Sequence, residues 1–291
     1  AIGDTKRPLY YLTIAGVINL FLNIFLVTVF SLGVAGVAIA TVISEGVSCV
    51  LILLCLKHET GAIRLYFNRI KINPSKCVDI MKIGLPAGLQ GCIFSISNVL
   101  IQSSVNSFGS TVMAGNTAAS NIEGFVYVSM NSLYQTCISF TSQNFGAGKF
   151  KRIKMVLINC LVIVAITGLV LGNSAYFFGK FLLSAYNNEA EVISYGLIRL
   201  SIISTMYFLC GLMDVMVGAM RGIGYSILPM IVSLVGACGL RIVWIYTVFA
   251  KFRTLDILFI SYPVTWTITF LSHLTCYFIV TRKYKDRFKE A

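Results

Sequence analysis

MVLINCLVIVAITGLVLGNSAYFFG, residues 155–179, runs for 25 residues without a charge. It is entered through Lys151-Arg152-Ile153-Lys154 and left at Lys180. A bilayer-spanning helix needs about 20 mostly apolar residues. The run is continuous and lacks the alternation of a barrel strand, so it reads as helix. Seven further stretches read the same way: 9–30, 34–56, 83–107, 112–142, 192–220, 227–250 and 257–280. Composition agrees. Hydrophobic residues make up 57% of the 291 and charged residues 12%, against about 25% charged in soluble domains. A chain this apolar cannot cover itself with polar groups. The fold class expected is all-α, a polytopic membrane protein with eight transmembrane helices.

The net charge of +12 at first suggests nucleic acid. Its placement argues otherwise. With Lys6 and Arg7 and every second loop on one side, that side collects 18 Lys and Arg, and the opposite loops collect 3 (Lys180, Lys251 and Arg253). Arg221 is counted with the first group, as a loop residue, and Arg199 and Arg241 fall within spans. This asymmetry orients a multi-pass protein in the plasma membrane with both termini of the chain cytoplasmic. The 22 residues after Pro8 are too long for a signal-peptide core. Eight of the nine cysteines fall inside spans and none forms a C-x-x-C pair, so they read as small packing residues rather than metal or redox motifs.

The connection 57–82 is basic, and its 63–72 stretch mixes Tyr66, Phe67 and Ile70 with Arg64, Arg69 and Lys71, as a segment on a membrane surface would. Asn73-Pro74-Ser75 then reads as a helix start. The chain thus divides into 1–56, a linker 57–82, six helices over 83–280 and a basic tail 281–291. A short repeat supports two lobes: I-G-D-T-K-R-P at 2–8 and I-G-Y-S-I-L-P at 223–229 each open an apolar helix from the cytoplasmic side. The second copy is preceded by a long helix ending Met220-Arg221-Gly222. Repeats in transporters pair whole bundles of helices, so four more spans are expected upstream of Ala1, the residue before it being Arg.

Five passages carry a resemblance to a known family: Gly3-Asp4-Thr5-Lys6-Arg7-Pro8, Leu32 to Thr41 (LGVAGVAIAT), Lys82 to Gln90 (KIGLPAGLQ), Ser142 to Lys149 (SQNFGAGK) and Met220 to Gly224 (MRGIG). Together they make the chain similar to the multidrug and toxic compound extrusion (MATE) transporters. The resemblance implies a twelve-helix, two-lobe fold of which this chain holds helices five to twelve, the missing N-terminal helices belonging to the same protein. The passages also make sense physically. Gly33 and Gly36 permit a tight outer turn, Pro86 favours a kink or hinge, and Gly218 and Gly222, four apart, let another helix approach closely. Packing or punctuation is the alternative reading of each.

Carboxylates deep in a membrane are costly, so they are functional suspects. Three qualify. Asp214 shares a helical face with Tyr207, Gly211 and Gly218, where small neighbours leave room for a cavity. Burial there suits reversible protonation or ligation of Na⁺, and the resemblance implies a coupling-ion role for an Asp on the tenth helix. A pairing with Arg241 is the alternative. Glu123 lies on a stripe with Asn116, Ser120, Tyr127 and Asn131 and is a second coupling-ion candidate, with a packing network as its alternative. Glu45 shares a face with Thr41, Ser44 and Ser48 and lines a cavity or is structural. Asn19, Asn23, Asn98, Gln102, Asn116, Tyr127, Asn131 and Tyr207 complete the expected substrate cavity. His273 reads as hydrogen-bonded structure. Some family members carry a Glu about eight residues after the proline of the seventh helix; here Phe94 stands in that place.

The function expected is secondary-active efflux, a cation antiport (H⁺ or Na⁺) exporting amphipathic or cationic small molecules by alternating access. No cofactor beyond the transported ion is implied. The chain reads as no enzyme: His58 and His273 are 215 residues apart, and no H-E-x-x-H is present. A lipid or lipid-linked oligosaccharide flippase of related two-lobe architecture is the alternative, disfavoured because only Arg199 and Arg241 lie within spans and the cavity candidates are acidic.

Overall fold

The computed structural model describes residues 6–60 and 64–282. Most of the first repeat copy (2–5), Ile63 and the tail from Lys283 onward lie outside the described residues. The chain divides into two compact units between Pro74 and Ser75.

The first unit is a helical hairpin of α1 (Lys6–Thr28) and α2 (Gly33–His58), followed by a 3₁₀ turn at Phe67–Arg69. Both helices are rich in Val and Ile, weak helix formers in water. In lipid every backbone N–H and C=O must be satisfied within the segment, and that overrides propensity. The hairpin turn needs the conformational freedom foreseen for it: Gly33 has φ +51°, and a Cβ on Gly36 would meet Leu32 Cβ at 3.1 Å. In the polar seam between the helices, Asn19 donates to Ser44 (3.2 Å) and Asn23 donates to Asn19 (2.9 Å). Arg7 pairs with Glu59 at the other end of the hairpin. Further on, the guanidinium groups of Arg64 and Arg69 each lie 5.2 Å from the Tyr66 ring centre.

The second unit begins with α3 (Pro74–Asn106), which starts at the proline expected to open it. Then come α4 (Ser110–Gly146), α5 (Phe150–Phe177), the short α6 (Gly179–Ser184), α7 (Ala190–Arg199) and α8 (Phe208–Gly222). Between α7 and α8 lies a π-helical stretch, Leu200–Ser204, and the pair bends by 43°. Residues Ile227–Phe252 form one long rod: α9 (Ile227–Ser233), α10 (Leu240–Trp244) and α11 (Ala250–Phe252), joined by π-helical stretches at Leu234–Gly239 and Ile245–Phe249. α12 (Leu255–Arg282) closes the unit.

Six of these rods are long and apolar enough to cross a membrane, and the bent α7–α8 pair makes a seventh. α4, expected as a span over 112–142, is 37 residues long but carries Asn116, Ser120, Asn121, Glu123, Ser129, Asn131 and Ser132. Its polarity is what the site below uses. α4 ends at Gly146 in the Gly146-Ala147-Gly148 passage, where Gly148 takes φ +68° and turns the chain into α5.

A small apolar core joins α5 and α12 through Ile153 and Val280, and two larger ones hold the rest of the second unit. One joins α4, α5 and α8 through Ala119, Met130, Leu157, Val164, Val215 and Met216. The other joins the end of α3 to α8, α12 and the Leu234–Gly239 stretch through Ile101, Val105, Met213, Ala237 and Phe259. α4 and α8 touch closely. A Cβ on Gly222 would stand 2.6 Å from Thr141 Cβ, and one on Gly218 would stand 3.0 Å from the Tyr134 carbonyl. Close packing is thus the role of both glycines. All nine cysteines are free thiols, with Cys137, Cys160, Cys210 and Cys238 buried.

Candidate functional site

Within the second unit, α3, α4, α8 and α12 surround a cavity of about 590 Å³. Each wall is one helical stripe. α3 contributes Gln90, Phe94, Asn98 and Gln102; α4 contributes Ser120, Glu123, Tyr127, Asn131 and Tyr134; α8 contributes Cys210, Met213, Asp214, Val217 and Arg221. Steps of three and four along these helices set the polar groups on one face. Tyr207, Tyr262 and Trp266 form an aromatic corner, with Trp266 ring centres 5.2 Å from Tyr207 and 5.5 Å from Tyr262.

Asp214 lies on the cavity wall, and among the described residues its carboxylate forms no ion pair or side-chain hydrogen bond. The pairing with Arg241 is therefore not the geometry found. Its helical neighbours differ from expectation. Gly211 and Gly218 do not open space beside Asp214; they lie on the adjoining stripe, where Gly211 faces Val164 and Met130 and Gly218 faces Tyr134. Tyr207 does share the cavity with Asp214.

Glu123 is buried and held by Arg199. The Arg199 Nε lies 3.1 and 3.2 Å from the two carboxylate oxygens and Nη2 lies 2.7 Å from Oε2. Arg199 Nη1 donates to Asn116 Oδ1 at 2.7 Å, Asn116 donates to Gln102 at 2.9 Å, and Gln102 donates to Asn106 at 2.9 Å. A carboxylate so compensated is a fixed element of the wall. Asn116 sits behind the cavity as a link in this chain. Arg199 closes α7 where the π-helical stretch begins, and such stretches recur at functional sites.

Arg221 is not a loop residue. It sits in the last turn of α8, lines the cavity, and donates to the Tyr134 hydroxyl and, at 2.7 Å, to Gln90 Oε1. With Arg199 and Arg241, three arginines face two carboxylates around the cavity, so it is not the acidic chamber expected. Neither the Glu123–Arg199 pair nor the tether from Arg221 to α3 was assigned from sequence. The only signal for the first was that both are lone charges within spans.

Other expected residues sit as follows. Asn98, Gln102, Tyr127 and Asn131 line the cavity. Phe94, standing where some family members have a Glu, lines it too. Asn19 and Asn23 serve the seam of the first unit. Glu45 is exposed on that unit, while Ser44 and Ser48 on the same helix are buried. Pro86 is buried inside α3, which continues through it. In the turn just before it, the Ile83 carbonyl accepts from Ser226 at 2.9 Å. His273 is fully buried with Nε2 3.0 Å from Ser233 Oγ.

A family model, MatE, matches residues 86–247, the stretch that supplies nearly all of this cavity. The chain belongs to the MatE family. Members of the MATE family are multi-pass proteins of the plasma membrane. Among similar proteins, the probable multidrug resistance protein YoeA of Bacillus subtilis is 27% identical over 97% of this chain and 62% of its own length. The FAD transporter of Shewanella oneidensis is 28% identical over 66% of this chain and 44% of its own length. The crystal structure of the Vibrio cholerae MATE transporter VcmN in the bent form superposes with a TM-score of 0.84 at 22% identity, covering 98% of this chain and 65% of that one. The chain spans less than two thirds of the length of each of these relatives.

Proposed function

We propose that this chain is the larger part of a secondary-active efflux transporter, exchanging H⁺ or Na⁺ for amphipathic small molecules by alternating access. Asp214 is the coupling residue in this reading, and the second-unit cavity is where substrate and cation compete. The observation that carries the reading is a carboxylate on a cavity wall inside a membrane protein, one that forms no ion pair among the described residues. Such a group is costly while charged, and a bound cation removes that cost. Binding of the cation from outside would then favour release of substrate, and inward exposure would reload it. Both termini of the chain are cytoplasmic in this arrangement. Membership of the MatE family and likeness to YoeA support the assignment.

Glu123 takes a different part from the one first assigned to it. Already matched by Arg199, it shapes the wall and holds the Asn116–Gln102–Asn106 chain in register, so a direct share in cation binding is no longer favoured. The six helices over 83–280 would act as one lobe, with Pro86 as its hinge.

The test is efflux of a fluorescent dye by the full-length protein under an imposed ion gradient. Asp214→Asn is expected to abolish gradient-driven efflux at unchanged protein level. Undiminished efflux would remove Asp214 from the coupling role. Imposing H⁺ and Na⁺ gradients separately identifies the ion.

The three cavity arginines favour a second reading, the flippase of a phosphate-bearing lipid. Two of them are already engaged, Arg199 by Glu123 and Arg221 by Tyr134 and Gln90. Among the described residues Arg241 is the cavity arginine left without an ion pair or side-chain acceptor, and one guanidinium is little to hold a pyrophosphate. Transbilayer movement of a fluorescent phospholipid in proteoliposomes, with no dye export, would decide for the flippase.

A further inference from the structure

Arg241 is 2% exposed, and its Nε is buried without a hydrogen-bond partner. Among the described residues it forms no ion pair or side-chain hydrogen bond, although it lines the cavity. Its guanidinium carbon stands 4.0 Å from the centre of the Tyr262 ring, which gives it a cation–π contact but no acceptor. The other two cavity arginines do have acceptors. Arginine stays charged in proteins, and a buried charge is retained where something pairs with it. The carboxylates on the wall do not: Glu123 is taken by Arg199, and Asp214 forms no ion pair with Arg241.

The surroundings of Arg241 define what would fit. It sits on α10 between two π-helical stretches, beside the corner of Tyr262, Trp266 and Tyr207. A planar guanidinium binds a carboxylate or phosphate through two parallel hydrogen bonds. The aromatic corner offers ring faces and edges for a planar molecule.

We propose that this cavity binds planar aromatic molecules bearing an anionic group, the anion paired with Arg241 and the ring packed against Tyr262, Trp266 and Tyr207. This rests on the cavity being the substrate site and names the substrate class within that reading. In that reading the aromatic anion at Arg241 and the cation at Asp214 occupy the one cavity in alternation.

The experiment measures equilibrium binding of riboflavin 5′-phosphate and of riboflavin to the full-length protein in detergent, by flavin fluorescence, with no ion gradient. The two probes share a ring and differ in one phosphate. The wild type is expected to bind the phosphate ester about tenfold or more tightly, as one charge-assisted pair provides. Arg241→Gln is expected to bring that ratio to about one, and Arg241→Lys to keep part of it. Equal affinities in the wild type overturn the proposal, whatever the variants do. A ratio that survives in Arg241→Gln overturns it also, by moving the anion to another arginine. A short-chain phosphatidate, dihexanoyl phosphatidic acid, is the competitor. If it displaces the flavin at lower concentration than the flavin's own Kd, a lipid headgroup occupies Arg241 and the aromatic assignment falls. Because binding is read without a gradient, its failure leaves the efflux test of Asp214 standing, and failure of that test leaves this one standing.

Discussion

Arg199 shows how much one side chain can hold in place. It neutralises Glu123, orients Asn116 and lies 5.6 and 5.8 Å from the ring centres of Phe259 and Tyr262. Removing one partner of a buried ion pair strands the other and costs about 3–5 kcal/mol. Arg199→Ala is therefore expected to lower the thermal unfolding temperature of the detergent-solubilised protein sharply. Changing both partners, as Arg199→Met with Glu123→Leu, should recover much of the loss. An Arg199→Ala protein as stable as the wild type would mean that the pair is not formed. The two charges are 76 positions apart in the chain, and each alone resembles any other intramembrane charge, so their pairing was not legible in the sequence. Asp214 was legible because a lone carboxylate in an apolar run needs only its immediate neighbours to be noticed. Its neighbouring glycines were placed one stripe off. With 3.6 residues per turn, positions −3 and +4 fall about 60° and 40° round the helix on the same flank, so both glycines face the helix packed there.

At the scale of elements, the stripes of α3 and α4 were readable because polar residues recur at helical spacing in otherwise apolar segments. The π-helical stretches beside Arg199 and Arg241 were not, since Leu200–Ser204 and Leu234–Gly239 hold residues common to any membrane helix. Arg221 was misplaced because α8 runs to Gly222, through the point where the apolar run ends. The α4–α8 contact gives a direct prediction. Gly222→Leu drives a side chain into Thr141, and overpacking of this kind costs about 1–3 kcal/mol. A lowered unfolding temperature is expected, with Gly222→Ala intermediate, and an unchanged one would show that the helices are not in contact there. Pro86→Ala in α3 restores a backbone hydrogen bond. It is expected to raise thermal stability while slowing transport, and faster transport by the variant would count against a hinge at this position.

For the molecule as a whole, the distribution of Lys and Arg predicts a cytoplasmic side, and the prediction is checked at Cys77. This thiol is exposed at the start of α3, within the basic stretch assigned to the cytoplasmic side. In a variant retaining Cys77 as its only cysteine, a membrane-impermeant maleimide should react in inside-out vesicles and not in right-side-out ones. The reverse pattern would invert the topology. The membrane-spanning architecture was readable from composition, because 57% apolar residues leave lipid as the solvent for most of the surface, and its helical form from apolar runs that are continuous rather than alternating. The mixed charge of the cavity was not, since it arises only when α7, α8 and α10 are brought around the polar faces of α3 and α4. The central claim is that Asp214 binds the cation whose entry drives substrate out. Counter-flux of H⁺ or Na⁺ per substrate exported, measured with the full-length protein in proteoliposomes, tests it most directly. Coupled cation entry is expected in the wild type and, in Asp214→Asn, a loss of coupled flux of about tenfold or more with substrate binding retained. Coupled flux of wild-type size in Asp214→Asn would contradict it.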